Sequence, residues 1–180
     1  MREMSLHIMD IVENALAAGA TRIRLDISED REKNRLEIII ADNGRGIPEQ
    51  DPERVLDPFY TTRTTRRVGL GLSLFRETSR RCGGTFRIES GKGKGTRVAA
   101  TFRLDHIDLP PMGDMAGTLA ALIAGNPGVD FVYLHRVGDD TFELDTGEIR
   151  KDLNGVDITH PRILKFISSS IRRSLKALRK

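Results

Sequence analysis

Two runs of strict alternation constrain this chain more than any other feature. Ile23, Leu25 and Ile27 form one, and Leu36, Ile38 and Ile40 the other, with the polar stretch Glu29 to Asn34 between them. Successive side chains of an extended chain point to opposite sides, so the pattern reads as a strand pair. A second pair is expected at Phe86 and Ile88 and at Val98, Ala100, Phe102 and Leu104, joined by the turn Gly91-Lys92-Gly93-Lys94-Gly95. Helical spacing appears from Met4 to Ala18, where Leu6, Met9, Val12 and Leu16 recur and Gly19 is the stop. Further helices are expected over 49–56, from Leu72 to Arg81 ahead of Gly83 and Gly84, from Met115 to Ala124, and from Arg162 onward. Phe131 to Val137 reads as a strand. A second strand, a turn at Thr146-Gly147 and more extended chain follow it.

Length and composition set the class. At 180 residues the chain can bury a real core, and 38% hydrophobic with 31% charged residues describes a soluble globular protein. No apolar run approaches the ~20 residues of a membrane span. Glu3, Asp10 and Glu13 interrupt any secretory leader, so a cytoplasmic location is expected. Cys82 is the only cysteine, which excludes an intrachain disulfide and a cysteine metal cluster; it reads as a buried apolar residue. The net charge of +3 is a C-terminal feature. Seven Lys and Arg and no acid occupy the last twenty residues, and without those seven the chain stands at −4.

Several short polar motifs punctuate the first 104 residues. Asp42-Asn43-Gly44-Arg45-Gly46-Ile47 follows directly on a strand. It reads either as a turn or as a ligand loop, in which the carboxylate accepts from an amino group and the glycines let backbone approach closely. Gly69-Leu70-Gly71-Leu72 opens a helix, whose free N–H groups suit phosphate. It lacks the third glycine of a dinucleotide fingerprint, and Gly91 to Thr96 lacks the Ser or Thr that follows a P-loop lysine. Asp10 and Asn14 are four apart and share a helix face, either a solvated face or a pair able to handle a water and a metal ion.

In this order the motifs resemble those of the GHKL (Bergerat-fold) ATPase superfamily, the histidine kinases, DNA gyrase, MutL and heat-shock chaperones. Asp10 to Thr21 is similar to its asparagine box, with Ala18-Gly19-Ala20-Thr21 closest to MutL. Asp42 to Ile47 is similar to the adenine box, and Asp57-Pro58-Phe59-Tyr60-Thr61-Thr62 to the phenylalanine box of histidine kinases. Gly69 to Leu72 resembles the glycine-rich lid end, and Gly95-Thr96-Arg97-Val98 the last glycine box. The resemblance implies an α/β two-layer sandwich, a mixed sheet with helices on one face. Residues 1–104 would be the ATP-binding domain, 105–112 with Pro110-Pro111 a linker, and 113–180 a small α+β module.

Roles follow by resemblance. Asn14 would supply an oxygen to Mg²⁺. Asp42 would accept from the adenine amine with Thr96 nearby through water, while Gly44, Gly46 and Ile47 pass the base. Leu70, Leu72, Gly69 and Gly71 would lie at the phosphates. Residues 60–70 would form a lid, from which Thr61, Arg63, Arg66 and Arg67 reach the nucleotide, or on which the arginines are simply solvated. Asp10 stands where gyrase and MutL carry a glutamate base and is one methylene shorter; Ala17 departs from the aspartate of MutL.

None of the four histidines carries the flanking residues of a phospho-acceptor, and no room for a dimerisation helix pair is seen upstream. The reading is a stand-alone ATP-binding protein. It would pass a γ-phosphate to water or to a partner protein, or act as a non-catalytic ATP-dependent switch; a dimer is possible and nucleic acid is not expected. Lys151 or Lys165 reaching the ATP site, as a transducer lysine does, is a minor alternative. The last helix sets Leu164, Ile167, Ile171, Leu175 and Leu178 on one stripe, to pack on the sheet or to leave a basic face for an acidic partner, membrane or nucleic acid.

Overall fold

The computed structural model describes residues 3–47 and 70–178, the side chain of Leu70 excepted. Its eleven elements run α1 (Met4–Ala17), β1 (Arg22–Asp30), β2 (Arg35–Asp42), α2 (Leu70–Arg81), β3 (Phe86–Ser90), β4 (Thr96–Arg103), α3 (Met115–Gly125), β5 (Asp130–Val137), β6 (Asp140–Asp145), α4 (Thr146–Asp152) and α5 (Pro161–Leu178). The helix expected over 49–56 and the lid lie outside the described residues.

The six strands form one sheet in the order β3-β4-β2-β1-β5-β6. Every neighbouring pair is antiparallel except β1 with β5, so the sheet is mixed, as expected. Register explains the alternation in the sequence. Ile23, Leu25 and Ile27 stand opposite Asp42, Ile40 and Ile38 on one side and Phe131, Tyr133 and His135 on the other. All nine lie on one face, and all except Asp42 are buried. The opposite face bears charged pairs, among them Arg24–Asp26 at 2.9 Å and Arg97–Glu89 at 3.6 Å. Such exposed pairs contribute at most ~1 kcal/mol each, so the covered face supplies the stability.

Helix α1 is seated on that face by Met4, Ile8, Ile11, Val12 and Ala15. Glu3 gives its first turn no side-chain cap. Instead the N–H groups of Met4 and Ser5 donate to the carbonyls of Pro111 and Met112 at 2.9 and 3.0 Å, so the 111–112 segment satisfies donors that a helix start leaves open. The other end closes with Gly19 at φ +76, where Gly19 N–H reaches Leu16 O and Ala20 N–H reaches Ala15 O. Those two bonds define a Schellman motif.

Two expectations are corrected here. Residues 146–152 are a helix, not extended chain, because Asp145 caps it by accepting from Gly147 N–H at 2.8 Å, with Glu148 in the first turn and Arg150 and Lys151 in the last. Helix α2 also begins two residues earlier than the apolar spacing suggested, at Leu70.

β5 extends the sheet from β1, and one core cluster joins α1, β1, β2, α2 and β4 to α3, β5, β6 and α5. The α5 stripe is buried at Ile167 and Ile171 and meets chiefly α3, while Arg162, Lys165, Phe166, Arg172, Arg173 and Lys176 are exposed. Lys151 pairs with Glu148 at 2.7 Å. With one sheet and one core, Ile171→Ala is expected to cost ~2–5 kcal/mol and to lower a single denaturation transition of the whole chain. Two transitions, of which only one moves, would instead make 113–180 a separate module.

Candidate functional site

At the end of β2 the covered face of the sheet turns polar. Ser90, Thr96 and Asp42 are register partners across β3, β4 and β2, in line with Ile88, Val98 and Ile40 below them. The row therefore opens into the space between sheet and helices, at the carboxyl end of β2.

Two glycines let the loop after β2 touch the 91–95 turn backbone to backbone. Gly95, at φ +74, approaches so closely that a Cβ there would lie 1.9 Å from Asp42 O. Gly46, at φ +67, is equally confined, with Gly91 O 2.0 Å from any Cβ. No L side chain is tolerated at either position without moving backbone. Hydrogen bonds complete the junction. Gly93 N–H donates to Arg45 O at 2.7 Å, Ile47 N–H donates to Ser90 Oγ at 2.8 Å, and Ser90 Oγ lies 2.8 Å from Gly95 O and 2.9 Å from Thr96 Oγ1.

The loop is pinned to α1 as well. Arg45 N–H donates to Ala18 O at 2.9 Å, and Gly44 lies against Ala18, where a Cβ would meet Ala18 Cβ at 3.0 Å. Asn43 is turned away from this space. Its Oδ1 accepts from the N–H groups of Thr21 and Arg22, both at 2.9 Å, and its Nδ2 donates to Thr21 Oγ1. It is a staple between the loop and the start of β1.

Asp42 accepts from Gly44 N–H at 2.8 Å. Burial raises its carboxyl above the ordinary carboxylate range, and hydrogen bonds from the backbone N–H groups of Gly44 and Thr96 oppose that rise. A desolvated, part-exposed carboxylate of this kind gains from a donor that enters the cleft.

Helix α1 connects this end to the start of α2. Asp10, Asn14 and Ala18 are spaced by four and so form one stripe. Asp10 packs on Gly71, where a Cβ would come within 2.9 Å of Asp10 Cβ; glycine lets the first turn of α2 lie directly on α1. Asn14 is exposed between these contacts. Eight residues at 1.5 Å each separate the two ends by about 12 Å. The stripe thus runs from the first turn of α2 to a carboxylate and hydroxyl at a sheet end.

Of the residues singled out in the sequence, Asp42, Gly44, Gly46, Ile47 and Thr96 come together at the sheet end, and Asp10 meets Gly71. Leu72 is buried in the core. Leu70 opens α2. Thr61, Arg63, Arg66, Arg67 and Gly69 lie outside the described residues. Ser90 and the contact of Ala18 were missed. A hydroxyl ending a strand directly opposite Thr96 is the available signal for Ser90; Ala18 lies in the Ala18-Gly19-Ala20-Thr21 string, but its contact is made by a carbonyl that no side chain announces. A charged groove of about 660 Å³ lies at the other end of the strands, where Lys33–Asp30 and Arg35–Glu37 satisfy one another. Among the described residues no group of three or more His, Cys, Asp or Glu could hold a metal, and no helix is long and apolar enough to cross a membrane.

Residues 3–106 match the family model described as histidine kinase-, DNA gyrase B-, and HSP90-like ATPase. The chain belongs to that family. Within it, the sensor histidine kinase YxdK of Bacillus subtilis is 37% identical over 102 residues, covering 53% of this chain and 31% of the relative. The sensor histidine kinase WalK of the same organism is 36% identical over 101 residues, 51% of this chain and 16% of the relative. The chain therefore spans less than a third of either kinase. A solved Aquifex aeolicus MutL ATPase domain complexed with ADP shares the fold at a TM-score of 0.51 and 20% identity, over 80% of this chain and 64% of that one. The N-terminal domain of a DNA repair protein does so at 0.52 and 16%, over 79% and 52%. The expected α+β fold with its mixed sheet is thereby established for this GHKL ATP-binding domain.

Two outcomes follow from the site. Gly95→Ala should disrupt the loop–turn junction and lower the denaturation midpoint well beyond the ~1 kcal/mol of an ordinary glycine substitution. Asp42→Asn should leave the ligand-free protein as stable or more stable at neutral pH. Below the ordinary carboxylate pKa, Asp42 is neutral folded and unfolded and costs nothing. The penalty grows as pH rises through its raised folded pKa and is full above it. Denaturation of both proteins across pH 3–8 checks this, with the Asn variant gaining at the upper end.

Proposed function

We propose that this chain binds ATP with Mg²⁺ along the α1 stripe and passes the γ-phosphate to water or to a residue of a separate partner protein. The observation that carries the reading is the stripe itself, with an acceptor pair for a base at one end and the start of a helix at the other. Asp42 takes the adenine amine, Gly44 and Gly46 let backbone lie close to the base, and Thr96 stands beside Asp42. The phosphates lie toward Leu70 and Gly71 at the start of α2, where backbone N–H groups and the helix dipole favour negative charge, and by resemblance Gly69 would add its own N–H. By resemblance, Thr61, Arg63, Arg66 and Arg67, which lie outside the described residues, would pair with the phosphates.

Mg²⁺ fits what α1 offers. Asn14 presents an exposed amide oxygen one turn from Asp10, and a magnesium ion takes few protein ligands when phosphates and waters supply the rest. Bound there, the ion would neutralise charge on the β- and γ-phosphates. The chain's own residues hold and orient the nucleotide and exclude water, which is most of what phosphoryl transfer requires. Asp10 serves as the base, drawing a proton from the attacking water or hydroxyl. The family match and the likeness of half the chain to histidine kinases support this reading.

The test uses γ-labelled ATP with the purified chain, alone and with cell extract. Asp10→Asn is expected to keep ATP binding and to lose phosphate release or partner labelling. Normal turnover in that variant removes Asp10 as base. Binding with no transfer under either condition selects the nucleotide-switch alternative. Asp42→Asn should weaken ATP by ~1.5–3 kcal/mol in a calorimetric titration, as for loss of a hydrogen bond to a charged group; unchanged affinity removes the adenine assignment.

A further inference from the structure

Ser90 sits at the centre of the loop–turn junction, and its hydrogen bonds leave no freedom in where protons lie. A serine hydroxyl has one proton and two lone pairs. Ile47 N–H, at 2.8 Å, only donates to it, and Gly95 C=O, at 2.8 Å, only accepts. The Ser90 proton must therefore point at Gly95 O, since otherwise two oxygens would face each other at hydrogen-bond distance with no hydrogen between them. One lone pair takes Ile47 N–H. The other is left for Thr96 Oγ1 at 2.9 Å, so Thr96 must be the donor in that contact.

The consequence falls on the cleft. With its proton spent on Ser90, Thr96 shows only lone pairs to the space beside Asp42, its register partner on β2. Asp42 is an acceptor as well, so two acceptors stand side by side at the end of the covered face. We propose that Ser90 is a positioning residue for base selectivity: it holds the Thr96 hydroxyl as an acceptor, so that the Thr96–Asp42 pair receives the 6-amino group of a purine and rejects a 6-keto group. A 6-amino group brings two protons, one for each acceptor, directly or through a water. A 6-keto purine sets an oxygen against both and offers them a single proton, on N1, in place of two. This inference rests on the reading of the cleft as the adenine site and adds what makes it selective.

The test compares Mg-ATP with Mg-ITP, which carries a 6-keto purine, by calorimetric titration of the full chain. The wild-type protein should prefer ATP by well over tenfold. Ser90→Ala frees the Thr96 hydroxyl to rotate and donate, and should narrow the ATP-over-ITP ratio by about tenfold or more, while Ser90→Thr, which keeps the hydroxyl, preserves it. Thr96→Val removes the second acceptor with little change of shape and should narrow the ratio too; it carries the test if Ser90→Ala does not fold. A ratio unchanged in both variants, with both nucleotides weakened equally, would make Ser90 a brace for the loop only and overturn the proposal. So would a wild-type protein that binds ATP and ITP alike. No binding of either nucleotide by the wild type is a different result, which removes the adenine site itself.

Discussion

The anchoring of α1 at both ends is the constraint on which the other parts depend. One end has no side-chain cap and borrows its acceptors from the 111–112 segment; the other closes on Gly19 and offers Ala18 O to the loop after β2. Between these anchors the helix is fixed on the sheet by five buried side chains, and its outer stripe has nowhere to slide. Asp10, Asn14 and Ala18 are thereby aligned with two structures built elsewhere, the start of α2 and the end of β2. Neither contact would survive a turn of α1 by one residue, which moves every side chain by about 100°.

Chemistry at the sheet end depends on where desolvation falls. Asp42 has the parity of the buried face and is the point at which that face meets solvent. It keeps a carboxylate where the row below it carries isoleucine, and burial raises its proton affinity as a result. A donor entering the cleft offsets part of that desolvation. The glycines at 46 and 95 contribute by absence, because the junction that fixes Ser90 and Thr96 is a contact of bare backbones.

The later third of the chain shares its sheet and its core with the earlier part. Its strands extend the sheet, α3 and α5 share the core, and the strap at 111–112 completes α1. The comparisons divide along the same line. Sequence likeness to the histidine kinases covers about half of the chain, whereas the MutL ATPase fold covers 80% of it, so the shared architecture reaches past the shared motifs.

Local rules were enough to read the alternating strands, the Gly19 stop, the helices at 4–17, 115–125 and 161–178, and the polar loop at Asp42, because each depends on period or on a cap within a few residues. Local rules misread 146–152 as extended chain, where the Asp145 carboxylate caps a short helix. Pairing of β5 beside β1 joins residues more than a hundred apart, and no period in the sequence encodes it. The motifs named Asp42, Thr96 and Asp10, since each lies in a recognisable string. The contacts of Ser90 and Ala18 were decided by tertiary structure alone: one is made through a register partner and the other through a backbone carbonyl, and neither exists until the strands and α1 have met.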